Sequence, residues 1–183
     1  RIQRFLYMEI FEKSYVIILQ ARTNSTRLPK KVLAEVGNKT LIEFLISRLN
    51  KCLLVEEVIL ATTTHFSDNK LCSIVESLGI KVIRGSQEDV LSRFYLAAKE
   101  VPSKNYIRIT GDCPLIDPKL IEKTIKFYAE GNFDYVSNSY PPTFPDGMDV
   151  EVFTKEALFL ANLKTKNKFG REHVTPWIRD SKK

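Results

Sequence analysis

Tyr106-Ile107-Arg108-Ile109-Thr110-Gly111-Asp112-Cys113-Pro114-Leu115-Ile116-Asp117-Pro118 is the stretch on which the fold turns. Ile107 and Ile109 alternate with polar neighbours and Gly111 breaks the run, so the spacing predicts a strand that delivers Asp112 to one end of a sheet. Asp117 suits the cap of a following helix and Pro118 its first position, because a proline there gives up only an N–H without a helical partner. Asp112 is left with no capping duty. It reads either as a solvated turn residue or as a ligand-binding carboxylate at the C-terminal edge of an open α/β sheet, where such sheets keep their ligands.

Working outward, residues 16–19 are a short apolar run of β-branched character, the mark of a strand buried on both faces, while residues 58–61 read as a second strand and 81–85 as a third. Helical patterns alternate with them. The first opens on a capping box, Thr40 to Glu43, and carries Leu41, Phe44, Leu45 and Leu49 on one stripe. The second runs from about Asp68 to Leu78, with Leu71, Ile74, Val75 and Leu78 inward, and Gly79 ends it. The third starts at Ser86-Gln87-Glu88-Asp89 and buries Val90, Leu91, Phe94, Ala97 and Ala98. With the strand that ends at Asp112, this β-α alternation predicts an α/β, Rossmann-like fold: a mostly parallel sheet with helices on both faces, lacking a dinucleotide fingerprint. Residues 134–137 are a further strand candidate and 138–144 a loop. Thr154 caps a helix reaching Leu163, and residues 170–178 form a short helical or irregular segment.

A chain of 183 residues, 44% hydrophobic, suffices for one buried core, and no Pro/Gly/Ser-rich linker divides it. Residues 8–183 are expected to form a single domain, and residues 1–7 read as an extension before Met8. The net charge of +6 admits a nucleic-acid partner, but the cations are scattered except within residues 22–31. A basic loop suits a phosphorylated small molecule as well as a polynucleotide. Aromatics are not interleaved with the cations and no RNA-binding motif is present, which argues against a nucleic-acid binder. Cys52, Cys72 and Cys113 are odd in number and lack metal-ligand spacing, so reduced thiols in a cytoplasmic protein are expected. No apolar run approaches membrane-spanning length, so no membrane partner is expected.

Two stretches carry candidate chemistry. Residues 20–39 show neither helical nor strand period, although connections in βα units usually take roughly 2–6 residues. Within them, Ala21-Arg22-Thr23-Asn24-Ser25-Thr26-Arg27-Leu28-Pro29-Lys30-Lys31 gathers four cations and several hydroxyl or amide donors. Such a loop either lies solvated or embraces a polyphosphate, because guanidinium and ammonium groups offset phosphate charge while hydroxyls and backbone N–H groups supply oriented donors. The second stretch is Pro145-Asp146-Gly147-Met148-Asp149-Val150-Glu151-Val152-Phe153. Turn chemistry leads into strict alternation, which places Asp149 and Glu151 on one strand face, as a half-exposed edge or as a site for a cation or a hydroxyl-rich ligand. His65, in a polar loop, reads as exposed or as a lone ligand. A cationic loop facing carboxylates across a sheet edge is the inventory that nucleotidyl transfer needs, since that chemistry asks for charge neutralisation and positioning, not a nucleophile.

Ala21-Arg22-x-x-Ser25-x-Arg27-Leu28-Pro29-x-Lys31, Arg84-Gly85-Ser86-x-x-Asp89-Val90-Leu91-x-Arg93, Gly111-Asp112-x-Pro114-Leu115, the 144–153 stretch and Arg171-Glu172-His173-Val174-Thr175-Pro176 together resemble the cytidylyltransferase family, within it the spore coat polysaccharide biosynthesis protein F group. The resemblance runs from about Tyr15 to Ile178. It implies a glycosyltransferase-A-like nucleotidyltransferase fold and transfer of CMP from CTP to a sugar or sugar acid, with Mg²⁺ and release of pyrophosphate, for surface polysaccharide synthesis. It also allows a homodimer. Carried over residue by residue, Arg22, Lys31 and Asp112 would be catalytic. Ala21, Arg22, Ser25, Arg27 and Lys31 would hold the triphosphate beside Gly111 and Asp112, and Thr62, Arg84, Ser86 and Asp89 would lie near the base. Asp149, Glu151, Arg171 and His173 would meet the sugar, and Asp112 with Asp149 the metal. Two departures stand out. Lys30 occupies the place of a glycine, and relatives continue into a Val-Asp-Thr-type segment with a second metal carboxylate. The domain is therefore expected to be shortened at its C-terminus, with Asp149 or Glu151 covering that role, or else to be a non-catalytic domain that binds a nucleotide sugar.

Overall fold

The computed structural model describes residues 14–25 and 28–181; the expectations for residues 1–7 and for Arg27 lie outside the described residues. The first strand, β1 (Tyr15–Gln20), is followed by a small hairpin of β2 (Glu35–Val36) and β3 (Lys39–Thr40) and by α1 (Leu41–Leu49). Then come β4 (Glu57–Thr63), α2 (Asn69–Ser77), β5 (Lys81–Gly85), α3 (Val90–Glu100), β6 (Asn105–Thr110) and α4 (Pro118–Glu130). The chain closes with β7 (Tyr135–Ser137), β8 (Glu151–Thr154), α5 (Lys155–Lys164), α6 (Lys168–His173) and α7 (Pro176–Asp180). The central sheet has six strands in the order β5-β4-β1-β6-β8-β7. Neighbours from β5 to β6 run parallel, and β8 lies antiparallel to both β6 and β7.

Strand alternation divides the core in two. Tyr15, Ile17 and Leu19 point with Ile107 and Ile109 toward α1, α2 and α4, while Val16 and Ile18 point with Tyr106 and Phe153 toward α3, α5 and α7. Each such fully buried aliphatic side chain contributes about 1.5–3 kcal/mol, which is why the β-branched runs belong at the centre of a sheet covered on both faces. β1 is the middle of the design: the chain adds β4 and β5 on one side of it and β6 on the other. The loops leaving β1 and β6 therefore diverge, and a crevice opens between them at the C-terminal edge.

Several details depart from the sequence reading. The buried stripe of α1 is Ile42, Leu45, Ile46 and Leu49, rotated from the expected one, with Leu41 and Phe44 only half-buried. α2 buries Leu71, Cys72 and Val75, while Leu78 sits past the helix end and is exposed. The span 20–39 is not structureless, since it holds a 3₁₀ turn at Lys31–Leu33 besides the β2–β3 hairpin. Lys30 does occupy a left-handed conformation, φ 60°, and its carbonyl accepts from Leu33 N to start that turn. A side chain there costs roughly 1–2 kcal/mol relative to ordinary backbone, which is the physical content of the departure from glycine.

Candidate functional site

The crevice between the β1 and β6 loops is a cleft of about 790 Å³. Its floor depends on close approach of two backbones. Gly111 N donates to Gln20 O at 2.8 Å, and a Cβ added at Gly111 would come within 2.8 Å of the Ala21 Cβ. No larger residue fits at position 111 without parting the two loops.

The loop after β1 is anchored through Thr23. Its N–H and hydroxyl both donate to Asp68 Oδ1 at 2.7 Å, and its carbonyl accepts from Ser25 N and Lys30 N. From that base the loop offers Ala21, Arg22, Ser25, Leu28 and Lys31 to the cleft. Arg22 Nη1 donates to Gln87 O at 3.1 Å, and Lys31 Nζ reaches Asp112 Oδ2 at 3.3 Å. Asp112 accepts a second bond from the Thr110 hydroxyl. Burial pushes its carboxyl up, but the Thr110 hydrogen bond and the Lys31 charge more than offset this and hold it below the usual range, so it stays ionised.

The opposite wall comes from the connection between β7 and β8. Asn138 closes that loop, donating from Nδ2 to Met148 O and accepting at Oδ1 from Val150 N. Asp146, Gly147 and Asp149 thereby face the cleft, and Glu172 joins them from α6. Burial raises the Asp149 carboxyl, and the negative charges of Asp146, Glu151 and Asp112 raise it further. Asp112 and Asp149 thus share one cleft and one electrostatic field.

Of the residues singled out from the sequence, the cleft gathers Ala21, Arg22, Ser25, Lys31, Gly111, Asp112 and Asp149. Others are engaged elsewhere. The Thr62 hydroxyl is buried and donates to Asp68, so it supports the loop from beneath. Arg84 uses its guanidinium on the carbonyls of Thr63 and His65. Ser86 accepts from Asp89 N, and Asp89 caps α3 while Arg171 grips its carboxylate through Nε and Nη2. Arg171 gives its remaining bonds to Asn162. It is a clamp between α3, α5 and α6, not a group facing the cleft. His173 lies exposed, packed on Phe169 at 4.4 Å between ring centroids. His65 caps a 3₁₀ turn.

Glu151 needs the largest correction. β8 begins at Glu151, so Asp149 lies just before the strand, and although Val150 and Val152 share the buried side opposite them, the two carboxylates meet different surroundings. Glu151 is 7% exposed, pairs with Arg108, and accepts from Tyr135 Oη at 2.7 Å and Thr175 Oγ1 at 2.6 Å. The sequence reading overlooked Arg108, Thr110, Asp146 and Glu172, all in the cleft wall, and Asp68 beneath it. A charged residue at position 108, between Ile107 and Ile109 in a mostly buried strand, is the available signal for the first.

A parallel sheet with a cationic loop and two carboxylates at its switch point defines an α/β domain built to handle nucleotide phosphates. The family profile described as cytidylyltransferase matches residues 16–183, and the chain belongs to that family. It is 43% identical over 164 residues to an uncharacterized protein of Methanocaldococcus jannaschii, covering 90% of this chain and 66% of that one. It is 32% identical over 170 residues to spore coat polysaccharide biosynthesis protein SpsF of Bacillus subtilis, covering 90% and 70%. A solved cytidylyltransferase structure from Leptospira borgpetersenii superposes with a TM-score of 0.87 at 34% identity, covering 92% of this chain and 72% of that one. The chain therefore spans about two thirds of the length of the curated relatives just named.

Proposed function

We propose that this chain moves CMP from CTP to a sugar or sugar acid, releasing pyrophosphate, in the synthesis of a surface polysaccharide. The observation that carries the reading is the cleft itself, where Arg22 and Lys31 on one loop face Asp112 and Asp149 across the switch point. In the reaction an acceptor hydroxyl oxygen bonds to the α-phosphorus, the bond from that phosphorus to the bridging oxygen breaks, and the hydroxyl proton is released. Arg22 and Lys31 are the groups that would hold the triphosphate charge. Lys31 rests against Asp112, so its ammonium is already aimed into the cleft before a phosphate competes for it.

Mg²⁺ belongs to this proposal. The candidate donors are the carboxylates of Asp112 and Asp149, which line the same cleft; among the described residues no cluster of three or more acidic, histidine or cysteine ligands occurs. Magnesium suits such a set, because it is held by one or two carboxylates while water and phosphate oxygens fill the rest of its shell. Burial is the first cause of the upward shift of Asp149, and the charges of Asp146, Glu151 and Asp112, which a cation would relieve, add to it. Bound there, Mg²⁺ would neutralise phosphate oxygens. The three cysteines are free thiols, which supports a reducing, cytoplasmic setting. Among the described residues no helix is long and apolar enough to cross a membrane.

A pyrophosphate-release screen tests the reading, with CTP, UTP, ATP and GTP each set against ulosonic acids, neutral sugars and sugar phosphates. Release with CTP and at least one acceptor is expected. Nucleotide binding with no release from any pair would favour a domain that only binds.

A further inference from the structure

We propose that Arg108 is the residue that selects the acceptor, by binding an oxyanion carried on it; this rests on the reading of the cleft given above. Three of the described residues that line the cleft are cations: Arg22, Lys31 and Arg108. The first two rise from the loop after β1, on the side assigned to the triphosphate. Arg108 comes from the body of β6, where it is ladder-paired with Glu151 on β8 and lies toward the opposite wall.

That wall is lined by Asp146, Asp149 and Glu172. Carboxylates there can accept from the hydroxyls of a sugar but repel an anionic group. Arg108 is the one cation among the described lining residues on that side. Its guanidinium is held at two points: Nε donates to Gln20 Oε1 at 3.1 Å, and Nη1 is paired with Glu151. Among the described residues, Nη2 has no protein partner. A guanidinium fixed along one edge and open along another is organised in advance for an incoming oxyanion, so little side-chain freedom is lost on binding.

Stability alone is a weak reason for the pair. A buried ion pair roughly breaks even against an apolar one, because desolvation offsets the attraction. The Glu151 carboxylate has two further donors, Tyr135 and Thr175, and is therefore built into a frame that aims Arg108. The side chain of Arg108 is 15% exposed, so a ligand contact made there is only slightly screened by solvent.

The test is steady-state pyrophosphate release with CTP and matched acceptors: 2-keto-3-deoxy sugar acids, the same sugars with the carboxylate reduced to an alcohol, and hexose phosphates. Arg108→Lys retains the charge and loses the fork. Arg108→Met combined with Glu151→Gln removes both charges together and leaves no unpaired buried carboxylate, which keeps the fold testable. In both variants the KM for the anionic acceptor should rise, by about tenfold to a hundredfold in the double variant, as expected for loss of one charge-assisted contact. The ratio of kcat/KM for the anionic acceptor to that for the neutral sugar should fall by about tenfold or more, a discrimination that a general disturbance of the cleft would not produce. Whether the sugar acid or the phosphate is the responding acceptor identifies the oxyanion. Equal losses on anionic and neutral acceptors, or a loss confined to CTP, would overturn the assignment while leaving the reaction intact. A wild-type chain silent with every nucleotide and acceptor would overturn the reaction and Arg108's role with it.

Discussion

Replacing Asp68 with asparagine should unseat the loop that carries Arg22 and Lys31, although Asp68 never touches the cleft. Its carboxylate is 1% exposed and takes five donors. Oδ1 accepts from Thr23 N and Oγ1, both at 2.7 Å, and Oδ2 accepts from Thr62 Oγ1 at 3.0 Å, Thr63 N at 3.3 Å and the Thr63 hydroxyl. An amide has one acceptor oxygen. Whichever way it is turned, a backbone N–H of Thr23 or Thr63 then faces an NH₂ group. The three hydroxyls can rotate, but that N–H cannot. Orphaning one buried donor costs about 1–3 kcal/mol, and the surviving bonds lose their charge assistance, so a total near 3–5 kcal/mol is expected. For a chain of this size that corresponds to a melting-point drop on the order of 10 °C.

Urea titration of wild type and Asp68→Asn at several pH values is the assay. Burial pushes the Asp68 carboxyl up, but hydrogen bonds from Thr63, Thr23 and Thr62 more than offset it, so its folded-state titration lies below the ordinary 3.8. A carboxyl lowered on folding contributes stability that is present above its unfolded-state titration and is lost as pH falls through the folded one. The gap between the two proteins should therefore be full at pH 7 and shrink as the pH drops below 3.8. A gap under about 1 kcal/mol at pH 7, or one that stays constant with pH, would refute the reasoning.

What the sequence disclosed and what it hid differ in the range of the interactions. The Gly111–Asp112 tip was legible because each part of its signature is local: alternation, a breaking glycine, then Asp117 and Pro118 starting α4. Asp149 was legible for the same reason, from the turn at 145–147. The partners of Arg171 were not, since Asp89 lies 82 residues away and only the packing of α6 beside α3 brings them together. Two charged residues in a family-like motif look functional whether they meet a ligand or each other. From the sequence Asp68 reads only as a helix start, because its donors come from Thr23, 45 residues earlier, and from the end of β4. The alternation at 149–152 gave the correct sidedness for Val150 and Val152, both buried in the first core. It could not show where the strand begins, and that sends Asp149 and Glu151 to different surroundings.

Arg171→Lys should lower stability by about 1–2 kcal/mol, because an ammonium cannot reproduce the two-point grip on Asp89, while the KM for CTP stays put. A raised KM with no change in melting would return Arg171 to the substrate site. Asp112→Asn should cut Mg²⁺-dependent pyrophosphate release by about a hundredfold or more, as for other losses of charge at a reacting centre. It should leave the melt nearly unchanged, since that carboxylate is 44% exposed and its partners are Lys31 and Thr110. Near-normal release would place the metal elsewhere. Asp149→Asn should behave in the opposite sense to Asp68→Asn. Burial and the charges of Asp146, Glu151 and Asp112 raise its carboxyl, so the folded protein without Mg²⁺ holds that proton more tightly than the unfolded chain. A carboxyl raised on folding is destabilising once ionised, and the penalty vanishes at pH values low enough to protonate both states. Without magnesium, the asparagine variant should therefore melt at or above the wild-type temperature at pH 7, and this advantage should fade toward pH 3 as both forms become neutral. Adding Mg²⁺ should raise the wild-type melting temperature by mass action and the variant's much less, because a cation held by Asp112 and Asp149 stabilises only the folded chain that has both carboxylates. A variant that melts lower than wild type without magnesium, or that keeps the full magnesium response, would detach Asp149 from the cation and leave Asp112 to hold it with phosphate oxygens and water.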